Sequence, residues 1–437
     1  TWCLDPRRFT SHTNVEMTSL KAIEDYQNEF RFHFPHEHRP AARPAKTTSL
    51  TPVMAAKNAS FTVVNGWERV EYFKPSEDFQ PSLSFHFDET FDIVAREVSN
   101  VRDNVGLCEV NGFNRFEITG SDSQSFIDRL FCGNITHKPG RVGLGYLLND
   151  FGMVKSEATI ANIPASDRGP NRMWYGSAAA SEFHDMDWLS QHINPDENVK
   201  IKSLTNDQTI LIVAGPKARE VISACSREDW SKEAFPWLSV RECFIGFSAA
   251  TIMSVSFSGE LAYEVHVPNS SLYAAYLKLS EVGKEFGMKL FGSRAVESMR
   301  MEKGFLSWKA DLLTEFDPFE TGLDRFVNLR KESFIGKDAL EKRFKNGHSR
   351  TLVCLSADCT HAPAQSGASL MEDDKVVGTI TSGEWGHRVN LNLAYAFVNP
   401  DKSKPGTKMM LDLLGEMIPV EVIPQGPYDS SYSRILT

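Results

Sequence analysis

A chain of 437 residues has room for two or three domains with ample buried core, and 41% hydrophobic with 24% charged residues, both signs interspersed, describes an ordered globular protein. The formal net charge of -10 excludes nucleic acid and anionic membrane as bulk electrostatic partners, while leaving room for a local basic pocket. No stretch approaches the roughly 18 apolar residues of a membrane helix, and the N-terminus has no apolar signal core. Seven cysteines, Cys3, Cys108, Cys132, Cys225, Cys243, Cys354 and Cys359, are scattered, odd in number and without a C-x-x-C pair. They read as reduced core thiols, in a cytoplasm or, in a eukaryote, a mitochondrial matrix.

The chain opens at Thr1 without methionine, as a processed product or a piece of a longer protein would. Up to Lys46 the text is arm-like, with Pro35, Pro40 and Pro44 among His33, His36 and His38. Pro35 interrupts the histidines and no fourth ligand accompanies them, so they read as linker histidines rather than a metal site. From about Ser84 strands and helices alternate. Arg115 to Gly120 predicts a strand and turn, Ser121 or Asp122 a cap, and Phe126, Ile127, Leu130 and Phe131 a helical apolar stripe. Gly143-Leu144-Gly145 continues as Tyr146-Leu147-Leu148. It lacks the third glycine of a dinucleotide fingerprint, so the chain is not expected to bind FAD by itself. Gln208 to Pro216 followed by a helix over 217–224 echoes the first strand-Gly-helix unit and suggests an internal pseudo-repeat.

Ser256-Phe257-Ser258-Gly259-Glu260-Leu261-Ala262-Tyr263-Glu264-Val265-His266-Val267 reads as a strand, a Gly-centred turn and a second strand. Alternation sends Tyr263, Val265 and Val267 to one face and Glu264 and His266 to the other. An acceptor-only carboxylate there suits a flat heterocycle with adjacent N–H donors, such as a pterin edge. Residues 337–350 predict a helix and a linker. From Arg350 onward, short strands at 351–355, 376–381, 393–398 and 419–423, separated by Gly, Pro and Asp turns, predict a small all-β barrel or sandwich.

Several of these stretches, with Asn65-Gly66-Trp67-Glu68-Arg69, Leu148-Asn149-Asp150-Phe151-Gly152, Glu297-Ser298-Met299-Arg300-Met301-Glu302-Lys303-Gly304, Pro318-Phe319-Glu320-Thr321-Gly322-Leu323, Phe334-Ile335-Gly336-Lys337 and Thr381-Ser382-Gly383-Glu384-Trp385-Gly386-His387, stand in an order that resembles the folate-binding aminomethyltransferases of the glycine-cleavage T-protein group. The resemblance is closest to the C-terminal half of dimethylglycine and sarcosine dehydrogenases. It implies an α+β fold, a three-domain cloverleaf around a central folate channel with a C-terminal β-barrel. The implied parts are an arm over 1–75 from a preceding oxidoreductase half, a folate-binding region of two pseudo-repeated subdomains over 76–340, and a barrel over 341–437. Trp2 to Phe9 resembles the closing segment of that FAD-dependent half, which would be the partner of this chain.

The resemblance assigns Glu264 to the pterin edge, with Tyr263 beside it in the motif although its ring alternates to the other face. It further implies Arg294 at a helix start, Trp308 and Trp385 as channel-wall aromatics, and Arg434 closing over the ligand. Ser156 and Glu157 occupy the family's two acid positions, the second normally Asp, and Leu144 stands where the family has tyrosine. Glu157 is the candidate catalytic carboxylate, and its replacement by Asp is expected to be tolerated. The implied reaction is one-carbon transfer from an N-methyl amine-derived iminium or aminomethyl donor to N5 of tetrahydrofolate, giving 5,10-methylenetetrahydrofolate. The alternatives are a stand-alone glycine-cleavage aminomethyltransferase and a non-catalytic regulatory relative.

Overall fold

The computed structural model describes residue 7 and residues 13–437, apart from 180 and 309; the predicted link at Trp2 to Phe9 therefore lies almost wholly outside the described residues. Helices α1 (Val15–Gln27) and α2 (Thr51–Ala55) precede the hairpin of β1 (Ala59–Val64) and β2 (Trp67–Phe73). Then follow α3 (Phe91–Asp103), β3 (Gly106–Val110), β4 (Asn114–Thr119), α4 (Ser123–Leu130), β5 (Arg141–Leu148), β6 (Val154–Ile163), β7 (Arg172–Ser177), α5 (Glu182–Gln191) and β8 (Lys200–Ser203). The chain continues through β9 (Gln208–Ala214), α6 (Ala218–Cys225), β10 (Val240–Ile245), β11 (Ser248–Met253), β12 (Ala262–Pro268), α7 (Leu272–Gly283), β13 (Lys289–Leu290), α8 (Ser293–Lys303) and α9 (Lys337–Asn346).

From β3 on, these strands form two sheets, one in the order β10-β11-β12-β9-β3-β13, antiparallel except for the β3–β13 pair, and a wholly antiparallel one in the order β5-β6-β7-β4-β8. The echo seen in the sequence is real in the chain path: β4 runs through Gly120 into α4, and β9 through Gly215 into α6. Each helix buries its apolar stripe on its own sheet. Phe126, Ile127 and Leu130 pack with Phe116 and Ile118, and Val221 and Ile222 pack with Leu211 and Val213. Asp122 stands at the start of α4 without capping it; its carboxylate instead accepts the backbone N–H of Asn198 at 2.8 Å.

Beyond α9, β14 (Thr351–Ala357), β15 (Ser369–Glu372), β16 (Lys375–Gly386), β17 (Leu391–Val398), β18 (Lys408–Leu413) and β19 (Glu416–Ile423) close a barrel in the order β14-β17-β16-β15-β18-β19. This resolves the choice between barrel and sandwich. The register from Cys354↔Ile423 to Ala357↔Val420 joins first strand to last. Its two unpredicted strands are the short β15 and β18, both of which flank turns.

Helix α8 ties the parts together through buried charge. Arg300 donates to Asp311 at 2.8 Å, and the other oxygen of Asp311 accepts from Thr381 and Ser382 of the barrel at 2.5 and 2.7 Å. Such buried ions persist because their donors and acceptors are matched.

Candidate functional site

Strand β12 shows the expected alternation. Tyr263, Val265 and Val267 are fully buried under α6 and α7, with Phe235 stacked against Tyr263 at 6.1 Å. Tyr263 thus serves the core and does not share the Glu264 face. Glu264 and His266 point the other way. Oε2 of Glu264 lies 3.1 Å from Nε2 of buried His266, and the Glu264 side chain keeps 27% exposure. A carboxylate only accepts, so the imidazole nitrogen is the donor here.

The second sheet supplies the opposite wall. Trp174 on β7 meets His266 edge to face, centroids 5.0 Å apart. Registers place Leu144, Thr159, Gly176 and Arg115 in one row across β5, β6, β7 and β4. Side chains in one row share a face, and two residues along stands the cross-strand pair Tyr146 and Glu157. Gly176 is needed for space: a Cβ there would come within 2.2 Å of the Trp174 ring. The Trp174 ring therefore lies back over its own sheet, on Gly176 and between Thr159 and Arg115 in the row.

Arg115 is 1% exposed. One nitrogen donates to the Thr205 carbonyl at 2.9 Å, while Nε and Nη1 have no partner. Burial pulls its pKa down to about 10 against the opposing pull of the Glu264 charge. Across the row, half-buried Glu157 accepts the Tyr146 hydroxyl at 2.7 Å. Burial pushes Glu157 up to about 7, the tyrosine bond pulling the other way. Burial and the adjacent carboxylate raise Tyr146 well above its ordinary value.

The remaining predicted residues divide. Trp308 packs in the apolar cluster that contains Tyr146, and so borders the Glu157 side of the cleft. Arg294 and Trp385 form a separate cluster at the junction of α3, α8 and β16. There Arg294 donates to Thr90 at 2.5 Å, feels the charge of Glu384, and Trp385 stands 5.8 and 5.7 Å from the rings of Phe87 and Phe91. On α8, Ala295 and Met299 pack under the first sheet; Arg294, a residue earlier than Ala295, is turned toward this junction. Arg434 is exposed on the C-terminal tail, its backbone N–H bonded to Asp429 at 3.1 Å. The structure brings Glu264 and Glu157 to facing walls and does not bring Arg294 or Arg434 into contact with either.

Arg115, Tyr146 and Trp174 were missed by sequence reasoning. A charged residue opening an apolar strand was the available signal for Arg115; for Tyr146 it was the parity shared with Leu144. Among the described residues no group of three or more His, Cys, Asp or Glu could hold a metal. His36 and His38 instead flank buried Glu71, at 3.6 and 2.9 Å.

Two sheets packed against each other, followed by a closed barrel, define an α+β protein with a C-terminal β-barrel. The profile of the GCVT N-terminal domain matches residues 50–331 and that of the glycine cleavage T-protein C-terminal barrel domain residues 350–429. The chain belongs to the glycine-cleavage T-protein family of aminomethyltransferases. The FAD dependent oxidoreductase central domain matches residues 1–48. Mitochondrial dimethylglycine dehydrogenase of Rattus norvegicus is 31% identical over 96% of this chain and 49% of its own length. The mitochondrial pyruvate dehydrogenase phosphatase regulatory subunit of Mus musculus is 24% identical over 98% of this chain and 49% of its own. The chain thus spans about half the length of these curated relatives. The solved aminomethyltransferase T of the glycine cleavage system from Bartonella henselae shares the fold, with a TM-score of 0.75 at 20% identity, over 88% of this chain and 98% of that one. No helix among the described residues is long and apolar enough to cross a membrane.

Proposed function

We propose that the cleft binds tetrahydrofolate and that the chain is the one-carbon acceptor module of a longer N-demethylating dehydrogenase. The observation that carries this reading is Glu264, a partly exposed carboxylate held beside buried His266. It offers acceptors to the amino and ring N–H edge of a pterin. The unpartnered N–H groups of Arg115 are donors lacking an acceptor, and the pterin carbonyl beside that edge is one.

Glu157 would then face the transferring carbon. The transfer makes two bonds from that carbon, to N5 and N10 of tetrahydrofolate, and breaks its bond to the amine. The two folate N–H protons leave with the amine, so no net proton is consumed. A carboxyl that titrates near neutrality is suited to taking one of those protons and returning it to the leaving amine. A ligand filling the cleft would displace the water that would otherwise release the carbon as formaldehyde. The flavin half, of which residues 1–48 resemble a part, would supply the iminium.

A non-catalytic regulatory role is the second reading, favoured by Leu144 and by likeness to a phosphatase regulatory subunit. Calorimetric titration with tetrahydrofolate, followed by capture of a chemically generated iminium carbon, separates the readings. Binding with capture supports the acceptor module, binding without capture supports the regulatory relative, and absence of binding removes both folate readings.

A further inference from the structure

The two positions where the resemblance implies other residues, Leu144 for tyrosine and Glu157 for aspartate, meet in the structure at one side chain. Leu144 and Tyr146 lie two residues apart on β5 and so face the same way. The tyrosine absent at 144 is thus present one pleat further along, directly opposite Glu157 in the register. Tyr146 is 2% exposed and has exchanged water for Oε2 of Glu157 at 2.7 Å. Its ring is held by Phe326 at 5.3 Å and by the cluster that includes Leu148, Leu312 and Trp308. Glu157 itself remains partly exposed.

The extra methylene of glutamate adds a rotatable bond and moves the carboxyl away from where an aspartate would hold it. A loose group misplaced by about 1 Å loses on the order of a hundredfold in rate. A charge-assisted O–H···O bond from a packed phenol removes that freedom. We infer that Tyr146 is a positioning residue for Glu157, fixing one carboxyl oxygen so that the other faces the transferring carbon, and that the shifted tyrosine and the longer acid form one compensated unit. This rests on the one-carbon-transfer reading of the cleft. Arg325 and Cys132 are the other charged or titratable groups that act on Tyr146; Tyr146 is the one that acts on Glu157 besides burial.

The test is Tyr146→Phe, which keeps the packed ring and removes only the hydroxyl. Carboxyl-13C glutamate spectra of the ligand-free chain, with Glu157→Gln to assign the resonance, follow the titration of Glu157 directly. Its midpoint is expected to move upward in Tyr146→Phe, since the carboxylate loses its donor. In iminium capture the same variant should lose about tenfold in kcat with little change in KM. Tyr146→Phe combined with Glu157→Gln should be no slower than Glu157→Gln alone, because two residues acting as a unit are not additive. An unchanged midpoint, or losses that simply multiply, in a chain that still binds tetrahydrofolate would overturn the role of Tyr146 and leave the folate reading standing. A shifted midpoint in a chain that binds no tetrahydrofolate overturns the assignment of Tyr146 to the transfer together with the reading beneath it.

Discussion

Arg102 and Glu302 form an ion pair in which both side chains are 0% exposed, Nη2 to Oε2 at 2.6 Å. The same guanidinium holds Glu260 at 3.1 Å and the Ser258 carbonyl at 2.7 Å, and lies 3.8 Å from the ring centre of Tyr428. One arginine therefore locks the turn before β12 to α3, α8 and the C-terminal tail. Of the two carboxylates in the turn motif, Glu260 is committed to this lock, and Glu264 is left to face the cleft.

Replacing Arg102 with Met leaves Glu260 and Glu302 buried and without their shared counter-charge. Removing one member of a buried pair costs about 3 to 5 kcal/mol. Urea denaturation should show a loss of that size, with the tail at Tyr428 becoming protease-sensitive first. A variant as stable as the parent would show that the tail and turn are held by other contacts.

Glu264→Gln tests the pterin edge. The amide keeps one acceptor but turns an NH2 toward the ligand donors, and should weaken tetrahydrofolate binding by about 1 to 3 kcal/mol, the cost of an unpaired buried donor. The denaturation midpoint should stay close to the parent, because Glu264 is partly exposed. Equal calorimetric affinity for both proteins would remove Glu264 from the site.

How far the sequence discloses this site depends on whether a feature is local. The two faces of β12 follow from period-two alternation, and the strand-Gly-helix echo from residues adjacent in the chain. The Tyr146 and Glu157 pair follows from register, which shifts between Leu147 and Leu148 and cannot be read from either strand alone. Arg115 lies across from bare Gly176, over which Trp174 folds, a relation spanning two strands. Arg294 shows how a motif leaves a side chain's surroundings open. Its place in a matching motif suggested a ligand contact, yet its position on α8 turns it toward Thr90 and Glu384.

Burial pushes Glu97, Glu109 and Glu157 up to about 7 from 4.5. For such a group the folded state binds more protons than the unfolded state between the two values. Stability is therefore lost as pH rises from about 4.5 through about 7, by at most about 1.4 kcal/mol per pH unit for each. His387, held down to about 4 mainly by burial, works in reverse between there and its ordinary 6.5. Urea midpoints at about pH 5 and pH 8 isolate one carboxyl: Glu157→Gln should lose less stability over that interval than the parent. Equal losses would mean that Glu157 is already ionised in the folded protein at the lower pH.

Glu157→Asp is the substitution on which sequence and structure disagree. From sequence alone aspartate restores the family's acid and should be tolerated. In the structure the Tyr146 hydroxyl sits 2.7 Å from Oε2, on a ring packed too tightly to follow a carboxyl withdrawn by one methylene. The shorter acid leaves that buried hydroxyl without its acceptor, at a cost of about 1 to 3 kcal/mol, and leaves its own carboxyl free to rotate. Glu157→Asp should therefore lower both stability and kcat for iminium capture, while tetrahydrofolate affinity stays near the parent because Glu264 is untouched. Adding Leu144→Tyr to Glu157→Asp recreates the arrangement that the resemblance implies and should recover part of the lost rate. Parent-like turnover by Glu157→Asp alone would show that the length of this side chain, and the tyrosine it reaches, do not matter to the transfer.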